Sequence, residues 1–425
     1  MEKNYLCIDL KSFYASVECV ERGLNPMTTN LVVADPARNK GTICLAVSPS
    51  LKALGVRNRC RVFEIPDNVE YIMAPPRMKL YIDYSAKIYS IYLKYISKDD
   101  IQVYSIDEAF LDVTDYLRLY HMSATELAFM IMNDIRQSIG VIATCGIGTN
   151  LYLAKVALDI TAKHSKDNIG YLNEDLYRKT LWNHRPITDF WRIGSGTAAR
   201  LSHLGIFTMG EVALADEKQL YKTFGIDAEY LIDHAWGRES ATIASIKAYK
   251  PKCNSLSSGQ VLMRDYNYEE GLLIVKEMVD LLCLDLVEKS LVTDSISLHI
   301  GYSKGKNGST ITKSTGGSEH LPITTNSVRV LTKYFTQLYQ KTTNKAASIR
   351  RVVITFPHVL DETYEQYDLF TDPMELEKDR RLQKAVLNLK HKYGKNSIIK
   401  GMNLQSAATT LERNQQIGGH KSGES

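Results

Sequence analysis

Short apolar runs that end in a charge alternate, through the first part of the chain, with longer stretches of helical period. Tyr5-Leu6-Cys7-Ile8 closes on Asp9 and predicts a strand over 5–9. Ser12 to Glu21 predicts a helix, with Ser12 as its cap and Ala15 and Cys19 on one face. Residues 31–34 and 42–47 predict short strands, joined by the hairpin loop Asp35-Pro36-Ala37-Arg38-Asn39-Lys40-Gly41. Pro75-Pro76 stops that section, and a long helix is expected over 77–96, with tyrosines at 81, 84, 89, 92 and 95. A strand and turn follow over 101–113, then a helix at 123–139, a strand at 141–147 and a helix at 149–163. Residues 168–240 predict several short helices. Beyond them, strands near 254–264, 293–302 and 349–356 alternate with helices near 268–290 and 325–341. From 371 the chain is polar and weakly periodic, and its last residues, Gly418 to Ser425, are expected to be disordered.

This pattern describes a multidomain α+β protein. Strand, helix, split strands, helix, strand and helix is the order of a ferredoxin-like core with an insertion at about 13–76. A length of 425 residues accommodates more than one domain. The balance of 52 Lys+Arg against 48 Asp+Glu is too even to name a partner, so the distribution of charge matters more than its sum. Seven cysteines without a C-x-x-C pair predict reduced thiols in a cytoplasmic setting. Asp9 and Lys11 interrupt the first apolar run, which argues against a signal peptide, and no window is apolar enough for a membrane partner.

The chemistry centres on acids in apolar company. Asp107 and Glu108 interrupt the run Val103-Tyr104-Ser105-Ile106-Asp107-Glu108-Ala109-Phe110-Leu111, and Asp9 ends another. Ionised carboxylates are costly in such surroundings without a partner, and their hard oxygens suit magnesium or manganese. If the two strands are neighbours, the three acids could share two ions about 4 Å apart. Taken singly, Asp9 reads as a helix cap and Asp107 and Glu108 as a strand-end turn; taken together with the segments below, the three favour a metal site.

The residues around these acids resemble a known family. Ile8-Asp9-Leu10-Lys11-Ser12-Phe13-Tyr14-Ala15-Ser16-Val17-Glu18 and Ser105-Ile106-Asp107-Glu108-Ala109-Phe110 are similar to the two metal motifs of Y-family translesion DNA polymerases. The resemblance continues at Cys145-Gly146-Ile147-Gly148-Thr149-Asn150 with Ala154-Lys155 and extends over roughly 1–370. It points to the UmuC-like branch, which includes UV-damage repair proteins of Gram-positive bacteria and is related to DNA polymerase IV. It implies a palm at 1–12 and 77–167, fingers at 13–76, and a helix-hairpin-helix thumb at 168–240. A linker at 241–249, a DNA-binding little finger at 250–358 and a tail at 359–425 complete it.

The resemblance also implies roles. Asp9 and Asp107, with the Leu10 carbonyl, would bind two magnesium ions, with manganese as a substitute. Glu108 would bind the ion at the primer terminus and assist attack by the 3′-hydroxyl. Tyr14 falls at the steric gate that selects deoxynucleotides; its ring would also serve to pack helix on sheet. The N–H groups of Phe13 and Tyr14 would hold phosphate at a helix start. Lys155 matches the triphosphate lysine and follows the Gly146-x-Gly148 turn. In the fingers, Pro49 stands where a tyrosine is usual, and Lys52 replaces an arginine. Lysine lacks the bidentate fork, so the phosphate grip there is expected to be weaker.

Three further segments complete the picture. Phe190-Trp191-Arg192-Ile193-Gly194-Ser195-Gly196 resembles a helix-hairpin-helix, in which Gly194 and Gly196 free backbone amides for a DNA phosphate. A dinucleotide fold is the competing interpretation, but no strand leads into these glycines. Between 303 and 351 stand nine basic residues, among them Lys304, Lys306, Arg350 and Arg351, against one acid, Glu319. The family grips duplex backbone here, although exposed lysines equally serve solubility. Gln366-Tyr367-Asp368-Leu369-Phe370 resembles the peptide by which bacterial polymerases bind the sliding clamp, through Gln366, Leu369 and Phe370.

The expectation is an error-prone, template-directed DNA polymerase acting in translesion synthesis and DNA repair of the SOS type. Its partners would be primer–template DNA, dNTP, the clamp and other SOS and repair factors. A DNA-bound scaffold with weak or accessory-dependent activity is one alternative, and a nucleotidyl cyclase is another.

Overall fold

The computed structural model describes residues 3–251, 254–303, 313–363 and 373–423. The chain divides into two units, Met1–Tyr249 with Lys421–Ser425, and Lys250–His420. Gln366, Leu369, Phe370, Lys304 and Lys306 lie outside the described residues. Among the described residues no helix is long and apolar enough to cross a membrane.

The strands of the first unit are β1 (Tyr5–Leu10), β2 (Leu31–Val33), β3 (Ala46–Val47), β4 (Ile72–Ala74), β5 (Ile101–Val103), β6 (Glu108–Asp112), β7 (Ala143–Gly148) and β8 (Ile169–Leu172). Five of them form one sheet in the order β5-β6-β1-β7-β8. The central strand β1 runs antiparallel to β6 and β7, and β7 runs parallel to β8. Tyr5, Leu6, Cys7 and Ile8 are all buried, which is why this strand is a continuous apolar run rather than an alternating one. The insertion builds its own small sheet, β3-β2-β4, over a core of Val32, Val47, Leu51, Val56 and Val62.

Several expectations change at this level. Ser12 precedes the helix Phe13–Glu21 in a left-handed conformation (φ 50°), and its side chain makes no capping hydrogen bond. Ala15 and Cys19 are buried on that helix as expected. The helix after β7 is α-helical only over Leu151–Val156; a π-helical turn, Ala157–Thr161, and a 3-10 turn, Ala162–His164, follow. The strand β8 opens the region that the apolar pattern assigned wholly to helices, because four residues are too few to show a period. The stretch expected to be a linker contains the helix Ile243–Ala248, whose Ile243 packs with Tyr5, Cys7 and Phe110.

Gly146 and Gly148 lie within β7 rather than in a turn. A Cβ on Gly146 would stand 2.1 Å from the Ala154 carbonyl oxygen, and one on Gly148 2.1 Å from the Ala154 nitrogen. Their role is close approach: they let the helix Leu151–Val156 lie directly on the sheet.

The second unit contains β9 (Leu256–Tyr266), β10 (Leu291–Tyr302), β11 (Thr315–Thr325), β12 (Ile349–Phe356) and β13 (Val359–Asp361). Four form an antiparallel sheet in the order β11-β10-β12-β9, and β13 pairs with β10. The helices Tyr268–Glu288 and Val328–Thr342 pack on one face, burying Leu262, Ile274, Met278, Ile296, Phe335 and Ile354. The strand β11 escaped sequence reading because Thr315-Gly316-Gly317-Ser318 is turn-like and Pro322 interrupts it. It is an edge strand, where proline is tolerated.

The polar tail is also structured. A helix spans Pro373–Tyr393. The buried carboxylate of Glu277 accepts from Asn403 Nδ2 (2.7 Å) and the Thr409 N–H (2.8 Å), which ties down a segment of little apolar content. Farther on, Lys421 Nζ lies 2.9 Å from Asp35, and the Lys79 N–H donates to the Ser422 carbonyl (2.9 Å). Lys421 and Ser422, in the stretch expected to be disordered, are thus held by specific polar contacts.

Candidate active site

The strand register brings the acids together. Asp9 on β1 is directly opposite Glu108 on β6, so the two share a face of the sheet, as does Cys7 two residues earlier. Asp107 lies in the turn that enters β6. The Leu10 N–H donates to the Asp107 carbonyl (3.0 Å), and the Tyr104 and Ser105 N–H groups donate to the Glu108 carbonyl (2.9 and 3.0 Å). The Ser105 hydroxyl donates to Asp107 Oδ1 (2.6 Å). Two acids therefore stand side by side because one ends a tight turn and the other begins a strand, which resolves the conflict with strand propensity.

Burial pushes the Asp9 carboxyl up to about 7; Asp107 and Glu108 push the same way, against Lys163 and Lys155. Glu108 is buried and carries its own counter-ion, with Lys155 Nζ 2.8 Å away and the Cys7 thiol donating to Oε1 (3.2 Å). Lys155 also lies 3.1 Å from Asp159, which is 2.7 Å from Lys163. Burial lowers the Lys155 ammonium, but Cys7, Glu108 and Asp159 outweigh it and hold it above the ordinary lysine range. Lys163, Asp159 and Cys7 were missed by sequence reading. The spacing Lys155-Asp159-Lys163, four residues apart twice, was the available signal.

The other proposed substrate contacts gather near the same acids. Tyr14 stacks on Tyr81 with ring centroids 4.4 Å apart and planes at 14°. Burial raises its phenol, and Asp107 adds to the effect. Tyr81 is itself buried, its hydroxyl donating to Glu18 (2.7 Å), which Arg77 also holds. Phe13 is buried, so only its backbone is available to a ligand. Lys52 sits in the helix Pro49–Ala53, where Pro49 takes the first helical position and Ser48 caps the end. Enclosure lowers the Lys52 ammonium, while Asp9 and Asp107 act on it in the opposite sense.

The donor chemistry fits a hard divalent cation, since Asp9 and Asp107 bring carboxylate oxygens together where β1 ends and the turn into β6 begins. Among the described residues, however, no three His, Cys, Asp or Glu side chains form a group that could hold an ion. Glu108 is engaged by Lys155 instead.

Gly194 and Gly196 open the helix Ser195–His203, both are exposed, and a Cβ on either would meet nothing within 4 Å. Backbone there is open to a ligand. In the second unit, β12 projects Arg351, Val353 and Thr355 away from the helices. They join Ser257, Gly259 and Val261 of β9 and Ser297, His299 and Gly301 of β10. Arg350 lies in a bulge of that register and pairs with Asp265 (3.8 Å). Arg329 pairs with Glu375 and Asp379, and Lys341 with Glu319. The basic count therefore overstated the free charge, because several partners come from outside the counted stretch.

The impB/mucB/samB family model matches residues 8–159, and the model of its C-terminal domain matches residues 254–369. UvrX of Bacillus subtilis (strain 168), named for UV-damage repair, is 33% identical over 426 residues, covering 99% of this chain and 98% of its own. DNA polymerase IV 2 of the same organism is 29% identical, covering 99% of each chain. A solved Y-family DNA polymerase chimera of Dbh and Dpo4 shares the fold at a TM-score of 0.66 and 20% identity, covering 84% of this chain and 99% of its own. With both family domains in order and a full-length relative above 30% identity, the chain belongs to the UmuC-like impB/mucB/samB family, within the Y-family fold.

Proposed function

We propose that the protein is a template-directed DNA polymerase of the lesion-bypass type, adding deoxynucleotides to a primer 3′-hydroxyl. The observation that carries this is the register of Asp9 against Glu108, with Asp107 in the adjoining turn. Magnesium held by Asp9, Asp107 and the Leu10 carbonyl would activate the hydroxyl and stabilise leaving pyrophosphate. Lys52, Lys155 and Lys163, which interact with Asp9, would supply the positive field that a triphosphate requires. Tyr14, stiffened by Tyr81, faces the sugar and excludes a 2′-hydroxyl. Gly194 and Gly196 admit a duplex phosphate to open backbone, and Arg351 adds charge on a face of small residues that lets DNA approach closely.

The test is primer extension by the purified protein with magnesium or manganese, on damaged and undamaged templates. Extension past a lesion, with frequent misincorporation, is expected. No extension by an otherwise folded, DNA-binding protein would favour a scaffold, and turnover of ATP alone would favour a cyclase. Clamp binding through Gln366, Leu369 and Phe370 belongs to the same proposal. A Leu369→Ala, Phe370→Ala variant should lose the clamp in a pull-down, and undiminished capture would remove that partner. Participation in an SOS-type response predicts that transcript levels rise after UV irradiation.

A further inference from the structure

The turn that presents Asp107 and Glu108 is not supported by its own sheet alone. Tyr104, at its start, is half exposed, and its hydroxyl accepts from Trp191 Nε1 (3.1 Å). The two rings meet edge to face, with centroids 5.9 Å apart and planes at 79°. Phe110, two residues beyond Glu108, closes the triangle at 5.8 Å from Tyr104 and 6.1 Å from Trp191. Trp191 comes from a different part of the fold. It lies three residues before Gly194, stacks toward the buried His234 (6.2 Å, 18°), and carries the Arg192 guanidinium 5.0 Å over its ring. Arg192 holds a left-handed backbone (φ 69°) that turns the chain into the open glycine hairpin.

We propose that Trp191 and Tyr104 are positioning residues, which couple the glycine hairpin to the turn that sets the catalytic acids. The hydrogen bond fixes Tyr104. The N–H groups of Tyr104 and Ser105 then hold the Glu108 carbonyl, and the Ser105 hydroxyl holds the Asp107 carboxylate. A hairpin seated on a DNA phosphate would thereby keep the acids in register with the primer end. The geometry favours this over plain packing. A core contact would bury Tyr104, whereas here an exposed ring is oriented by one directional bond and two edge contacts. The inference rests on the polymerase activity proposed above.

The experiment is a double-mutant cycle of Tyr104→Phe, which keeps the ring and removes the hydroxyl, and Trp191→Phe, which removes the N–H along with part of the indole, so that melting temperature reports the lost packing separately. Single-nucleotide incorporation is measured together with DNA affinity, dNTP KM and melting temperature. Each single variant should lower kcat about fivefold, the size one neutral hydrogen bond carries. The double variant should be no slower than the singles, with dNTP KM and DNA affinity unchanged. Singles with wild-type kcat, losses that multiply in the double variant, or a loss confined to DNA affinity would each overturn the coupling. A wild-type protein that extends no primer would instead defeat the polymerase assignment itself.

Discussion

In the sheet of the first unit, Asp9 and Glu108 stand opposite one another on adjacent strands, and lysines 155 and 163 oppose their charge from a single helix. In the sheet of the second unit, the face away from the helices carries serine, threonine, glycine and valine, with Arg351 and His299 among them. The first sheet is covered on both faces around β1, and the second buries one face under its helices. The first concentrates charge where β1 and β6 meet, and there Asp9 is pushed up by burial and Lys155 is held up by Cys7, Glu108 and Asp159. The second keeps its open face small, with Ser257, Gly259, Ser297, Gly301 and Thr355 around Arg351 and His299. Under the proposed function, the contrast would separate a site that does chemistry from a surface that holds DNA.

The largest effect should come from breaking the first sheet's charge arrangement. Asp107→Ala removes a carboxylate worth several kcal/mol in the transition state, so primer extension should fall by about 10³-fold or more. Filter binding of primer–template should stay within about twofold, because the holding surfaces are untouched. Normal extension by this variant would erase the distinction between the two sheets.

Next in size is close packing. Gly148→Ala places a Cβ 2.1 Å from backbone nitrogen and should destabilise by about 3 kcal/mol, measured by urea unfolding. Gly194→Ala, where a Cβ meets nothing, should leave the urea midpoint unchanged within about 0.5 kcal/mol and weaken DNA binding instead. Equal stability losses in the two would show that the hairpin glycine is structural.

On the second sheet, Arg351→Ala should lower the slope of log affinity against log salt by about 1. Arg350→Ala should change it less, since Asp265 already opposes that charge. The reverse order would place DNA on the helix side.

The smallest effect concerns Glu18, which supports Tyr81 beneath Tyr14. Burial pushes its carboxyl up, but hydrogen bonds from Arg77, Arg22 and Tyr81 outweigh this and leave it below the usual carboxylate range. A depressed native value contributes stability above the unfolded carboxylate pKa, lost as pH falls through the native value. The gap in urea midpoint between wild type and Glu18→Gln should therefore be constant from pH 7 to about 5 and shrink below that, while the protonation of Asp9, raised to about 7, adds stability to both proteins as pH falls. An unchanged slope in the variant would mean that Glu18 is not linked to folding.

Much of this architecture was legible beforehand, and the failures have physical causes. The strands at 5–9 and near 349–356 and the helices at 12–21 and near 268–290 were expected from the pattern of apolar positions, although Ser12 does not cap as expected. The two acid motifs stood out because aspartate in an apolar run conflicts with its surroundings. The strand β8 was too short to carry a period, and β11 was disguised by glycine and a proline that only an edge strand tolerates. The tail looked unstructured because Glu277, far back in the chain, supplies the contacts that its own composition lacks.

Local order was therefore written in the chain: element type, motif order and the α+β class follow from interactions among near neighbours, which spacing records directly. Partnership was decided only in three dimensions. Cys7 meets Glu108 across 101 positions, Tyr104 meets Trp191 across 87, and Arg329 finds Glu375 in the tail. Hydrogen bonds and Coulomb forces act through space, so which acid meets a lysine, and which arginine meets an acid, depends on distances that no linear pattern contains.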